Sequence, residues 1–166
     1  MIEPLEWLVD APPIHREELA DSLDNKERVE FAHYWNIFAR PSQIAPPGDW
    51  RIWLVMAGRG FGKTRAGAEW VRAIAEDCPD ARIALVSSSL AEARAVMIED
   101  ESGILARIPP DRQPVFEPSL RRLRFPSGAQ AHLFSALEPE SLRGPQHSHA
   151  FQARLRRNFS SIRQCR

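Results

Sequence analysis

Cysteine and lysine are nearly missing from this 166-residue sequence, and acidic residues vanish from its last stretch. The two cysteines, Cys78 and Cys165, lie far apart and form no metal or redox motif. A reduced, cytoplasmic setting is therefore the default expectation. No apolar run approaches the roughly 20 residues of a membrane span. Glu3, Glu6 and Asp10 at the start argue against a secretory signal. The formal net charge is zero, so no global field advertises a nucleic-acid partner. His15, His33, His132, His147 and His149 show no metal-binding spacing, and the His147-Ser148-His149 triplet lacks further ligands. What remains is a chain with 43% apolar residues, enough for a proper core, and a length that fits one domain.

Of the 22 basic residues only Lys26 and Lys63 are lysines, and Lys63 sits in the most informative stretch of the chain. That stretch is Ala57-Gly58-Arg59-Gly60-Phe61-Gly62-Lys63-Thr64, a small residue, four free positions, then Gly-Lys-Thr. Glycines let such a loop turn tightly and aim its N–H groups at phosphate oxygens. Lys63 reaches the β- and γ-phosphates in this reading, and the Thr64 hydroxyl ligates Mg²⁺. Ala57 stands where the commonest form has glycine. Chance alone gives the pattern in roughly 1% of chains this long. The flanks reduce that further, because an apolar, strand-like run at 51–56 precedes the loop and helix formers at 65–75 follow it. Strand, glycine-rich turn, helix is the context the motif requires, and the helix N-terminus adds its dipole to the anion site.

Elsewhere the pattern alternates strand and helix. Asp24 with Glu27 forms a capping box, and Phe31, Trp35 and Phe38 make an amphipathic face expected to pack on the core. A proline-rich loop over 40–50 carries Gln43, whose amide can match the N6/N7 edge of adenine or simply be solvated. Residues 81–87 read as a buried strand, 90–99 as a helix, and 114–117, 122–125 and 130–134 as a β-meander around the turn Pro126-Ser127-Gly128. The segment 138–143 reads as a short helix ending at Gly144. The expected fold is α/β with the nucleotide at the C-terminal edge of the strands.

Two segments are specific enough to carry a family likeness. They are Ala39-Arg40-Pro41-Ser42-Gln43 through Pro46-Pro47-Gly48-Asp49-Trp50 with the loop and its helix, and Ser135-Ala136 with Glu138-Pro139-Glu140-Ser141-Leu142-Arg143-Gly144-Pro145-Gln146. Together, over residues 31–150, they resemble the large terminase subunit of tailed phages, in the branch found in alphaproteobacterial prophages and gene transfer agents. The resemblance implies an N-terminal ATPase that drives double-stranded DNA into a procapsid and a C-terminal nuclease. It implies a RecA-like P-loop NTPase sheet with N-terminal helices, ATP and Mg²⁺ as cofactors, a homo-oligomeric ring on the portal, a small terminase subunit as partner, and the bacterial cytoplasm as location. Gln43, with Arg40, would hold adenine; Gly58, Arg59, Gly60, Phe61, Gly62, Lys63 and Thr64 would hold the phosphates, Thr64 also the metal. Arg59 would sense the γ-phosphate. Arg143 would act on a neighbour's ATP as an arginine finger does.

The sequence then departs from the family. The family continues into an apolar strand ending in Asp-Glu, the Walker B pair, which would stand at about Ala153 and Arg154. Here all 22 acids lie at or before Glu140, while residues 141–166 hold six arginines. The metal-holding and water-activating carboxylates are absent, and so is the nuclease sequence. The expected organisation is an arm with helices over 1–39, a partial ATPase over 40–150 and an out-of-frame or aberrant basic tail over 151–166. A frameshift near residue 150 accounts for the coincidence; a short paralogue with a basic nucleic-acid arm is the alternative. Loss of the strand beside the phosphate-loop strand would leave an exposed sheet edge, an incomplete core and marginal stability. The chain then reads as an ATP-binding fragment with negligible hydrolysis. The competing readings are a non-catalytic interaction fragment docking small terminase through its N-terminal helices, and a helicase-like P-loop ATPase.

Overall fold

The computed structural model describes residues 12–153 and 159–164. The arm expected at the N-terminus lies largely outside these residues, as does Arg154. The chain divides into two compact units, residues 1–44 and 45–166, where the length had suggested one domain.

The first unit is helical. α1 spans Pro13–Ser22, α2 Asn25–Ala32 and α3 Trp35–Phe38. The Asp24 carboxylate accepts the Glu27 N–H at 2.8 Å, and the Glu27 carboxylate accepts the Asp24 N–H at 2.9 Å. This is the reciprocal capping box read from the sequence, and it satisfies two donors that a helix start leaves open. The aromatic stripe does not behave as expected. The helix breaks between α2 and α3, so the fixed helical spacing is lost. Phe31 and Ile37 become the buried pair, packed by Leu19, Leu23 and Tyr34, while Phe38 is exposed and meets Phe31 edge-on at 5.6 Å. The stripe builds a small core of its own unit.

The second unit is α/β. β1 (Ile52–Met56) leads through the glycine loop into α4 (Lys63–Asp77), followed by β2 (Arg82–Ser87) and α5 (Leu90–Glu92), which continues as π-helical turns over Ala93–Glu99. β3 (Val115–Glu117), β4 (Arg122–Arg124) and β5 (Gln130–Ser135) form the expected antiparallel meander, with Gly128 at φ +108° in its turn. β6 (His149–Ala153) and β7 (Phe159–Gln164) close the chain. The strand order is β1-β7-β6-β2-β5-β4-β3. β6, β2 and β5 run parallel, and β1 joins them in direction because β7 is antiparallel to both of its neighbours. The sheet is mixed, and the loop after β1 sits at the edge where β6, β2 and β5 also end.

Alternation along β2 sends Ile83 and Leu85 to one face and Ala84 and Val86 to the other. The first face meets Ala68, Val71 and Ala75 of α4 and Met97 and Ile98 of the π-helical segment, with Leu133, Phe151 and Ala153 beside them. Each fully buried large side chain of this kind contributes about 1.5–3 kcal/mol. Among the described residues the second face carries a small cluster of Ala84, Val86 and Phe134, with Ala136, Leu142 and Ala150 packed against it.

Two expectations about the end of the chain need correcting. The strand ahead of Ala153 is not missing. His149, Phe151 and Ala153 are buried in alternation, the pattern of a strand, and only its terminal carboxylates are lacking. Nor is that strand beside β1 or at an edge: β7 stands between them, so β6 is paired on both sides. The core is therefore closed at this point, because backbone pairing needs a strand but not an Asp-Glu pair.

Candidate functional site

The loop 57–64 is shaped by its glycines. Gly60 has φ +75° and Gly62 φ +85°, the left-handed region that side chains resist. Gly62 is the N-cap of α4, so the turn delivers the chain directly into the helix with its open N–H groups facing the loop. Its carbonyl accepts the first helical bond, from Ala66 N at 2.9 Å. A β-carbon on Gly58 or Gly60 would meet nothing within 4 Å, so the loop is open above its backbone. Lys63 curls back over this space: its ammonium donates to the carbonyls of Ala57 and Gly58, each at 2.8 Å. An anion entering the loop offers the ammonium a charged acceptor in place of two neutral ones, a stronger bond. Gly58, Arg59, Gly60, Phe61, Gly62, Lys63 and Thr64 are thus brought together on one turn.

Arg40 and Gln43 form a second grouping, in the first unit. Gln43 ends a 3-10 turn at Pro41–Gln43, is 7% exposed, and its Oε1 accepts the Arg40 N–H at 2.9 Å. Arg143 follows the turn Pro139–Leu142 in the second unit; its side chain is 78% exposed and pairs with Glu140 at 3.0 Å. At the end of β6, Ala153 is 4% exposed, a methyl group at about the position where the resemblance leads to the expectation of a carboxylate.

Below the loop lies a charged cluster that the sequence reading did not single out. Glu69, one turn into α4 from Arg65, has a side chain only 2% exposed. Its carboxylate is 3.8 Å from Arg65 Nε and 3.2 Å from Arg72 Nε. The Arg72 approach is an ion pair without hydrogen-bond alignment. Burial raises the Glu69 carboxyl above its ordinary range, against the pull of Arg72, Arg65 and Arg107. Arg107 in turn is lowered by burial and by Arg65. The spacing Arg65, Glu69, Arg72 was a visible signal, since those positions share a helix face; the contribution of Arg107 from a distant turn was not.

Among the described residues no group of three His, Cys, Asp or Glu side chains could hold a metal ion, and no helix is long and apolar enough to cross a membrane. Thr64, first residue after Lys63 on α4, is the metal-binding candidate the loop offers, needing oxygen from phosphate and water to complete a magnesium shell.

A family model described as terminase large subunit, T4likevirus-type, N-terminal, matches residues 54–152, more than half of the chain. No curated protein and no solved structure matches it. The matched span takes in the glycine loop, α4, the meander and β6 as far as Gln152, and it leaves out β7.

Proposed function

The chain belongs to the terminase large-subunit family, by its N-terminal part, and from that premise we propose that it is the ATP-binding part of a phage DNA-packaging motor. The observation that carries this reading is the loop at 57–64. It joins β1 to the N-terminus of α4, lies at the shared C-terminal edge of the parallel strands, and falls inside the matched span save for the start of its strand. A helix start with open N–H groups, one lysine and a following threonine is the donor set that a magnesium–triphosphate needs.

In this reading ATP places its phosphates over Gly58 to Thr64, Lys63 leaves its two carbonyls for the β/γ-oxygens, and Thr64 ligates Mg²⁺. Arg59 faces the γ-phosphate. Arg143 serves a neighbouring subunit in a ring. Double-stranded DNA, a portal and a small terminase subunit are the proposed partners, and the cytoplasm of a bacterial host is the proposed location.

The same geometry argues for binding without turnover. β6 ends in Gln152 and Ala153, neither of which can hold magnesium as a carboxylate or orient a water as a base. Phosphoryl transfer depends on such positioning groups. Titration with a fluorescent ATP analogue and Mg²⁺ tests the proposal: saturable binding that Lys63→Ala weakens by about tenfold or more is expected, with no hydrolysis above background. Equal affinity in the unaltered chain and Lys63→Ala would overturn the assignment of the loop. Turnover lost in Lys63→Ala would overturn the non-hydrolytic part.

A further inference from the structure

We infer that residues 159–164, outside the family match and within the acid-free end of the chain, are the strand that holds the phosphate-loop strand in the sheet. β1 stands at the end of the strand order with β7 as its neighbour. Every residue of β1 is paired to β7, from Ile52↔Arg163 through Leu54↔Ser161 to Met56↔Phe159. The other edge of β7 pairs all of β6, from His149↔Gln164 to Ala153↔Ser160. Without β7, β1 and β6 would be separated by two strand spacings, about 10 Å, too far for any backbone hydrogen bond between them.

Side chains cannot substitute for this ladder. Ile52, Leu54 and Met56 are 55%, 45% and 67% exposed, and only Val55 is buried, with Trp53 partly packed on the core. Among the described side chains β1 sends Val55 and Trp53 inward and leaves the other three exposed, so backbone pairing supplies much of its anchorage. The segment Phe159-Ser160-Ser161-Ile162-Arg163-Gln164 has neither proline nor glycine, which suits a strand paired on both edges. The end of the chain that composition marked as aberrant is by this account a positioning element. That it serves nucleotide binding rests on the proposed function; that it holds β1 does not.

Two experiments on the full chain test it without nucleotide. Ser161→Pro removes a ladder donor at the centre of β7, and Ser161→Ala keeps it. Hydrogen exchange of residues 52–56 is expected to quicken by at least about tenfold in the proline variant and not in the alanine one. Unchanged exchange in Ser161→Pro would overturn the inference. Should that variant unfold as a whole, cross-linking decides. In a Cys78→Ser, Cys165→Ser background, Leu54→Cys with Ser161→Cys is expected to oxidise to a disulfide between positions 54 and 161, since directly opposed strand residues lie within bridging distance. Leu54→Cys with Ser160→Cys, one residue out of register, is expected not to. Failure of the first pair, or equal bridging by both, would overturn the inference. Loss of ATP binding in the unaltered chain would instead refute only the nucleotide reading.

Discussion

The ring of Phe151 lies against the backbone of Gly67, so close that a β-carbon on Gly67 would stand 2.1 Å from its Cζ. Gly67 is the fifth residue of α4, and Phe151 is the fully buried centre of β6. A glycine inside a helix costs about 1 kcal/mol relative to alanine, so its presence here has a packing reason. The contact locks the helix that follows the glycine loop onto the strand that ends at Ala153.

Gly67→Ala is therefore expected to lower stability by about 1–3 kcal/mol, despite the better helix propensity of alanine. Phe151→Leu in the same chain should recover part of that loss. Urea denaturation of the two single variants and the double variant measures the coupling. Strictly additive changes would show that the two residues do not meet.

Glu69→Gln keeps the shape of a buried side chain and removes its charge. Arg65 and Arg107 then face each other's field with no Glu69 carboxylate to offset it. Burial already holds the Glu69 carboxyl above its ordinary range, so its desolvation offsets most of the ion-pair gain and a loss of no more than about 1 kcal/mol is expected. The Arg65 contact adds little to that figure, being longer and on a side chain 34% exposed. A urea midpoint unchanged in Glu69→Gln would show that the cluster is electrostatically idle.

Lys63→Ala should leave the denaturation midpoint nearly unchanged, because the ammonium bonds carbonyls of its own loop, Ala57 and Gly58, each at 2.8 Å. Affinity for magnesium–ATP should fall by about tenfold or more, the worth of a single charge-assisted contact. Equal affinity in the two proteins would remove Lys63 from the site.

Acid should weaken the fold before the carboxylates titrate. Burial holds His132, His147 and His149 below the ordinary value of 6.5, with Arg122 and Arg82 adding to the effect at His132 and His132 adding to it at His147. A depressed histidine takes up its proton more readily in the unfolded chain. Its contribution is thus fully present above pH 6.5 and declines as pH falls below it. Urea midpoints are expected to drop steadily between about pH 7.5 and pH 5.5. Glu69, raised above 4.5, acts in the opposite direction: its folded state favours the proton, so its share of stability grows toward low pH. A midpoint rising over the same window would show that the histidines are not the controlling groups.

The glycine loop at 57–64 was legible in the sequence because its conformation is local. Glycines at 58, 60 and 62, a lysine and a threonine impose the turn whatever surrounds them, and the Asp24–Glu27 box is equally self-contained. The meander was legible from its turn and alternation. Phe31 and Phe38 were misread because a helix break only a few residues long undoes the periodicity on which such a stripe depends.

Residues alone thus determined the loop, the α/β pattern and the absence of carboxylates after Glu140, each a matter of identity or short-range spacing. Only the tertiary structure decided that Phe151 fills the space Gly67 leaves, that Arg107 joins Glu69, and that 159–164 separates β1 from β6. These are pairings between segments distant in sequence. Strand order and close packing are set by which backbone edges and surfaces meet, and no local pattern records that choice.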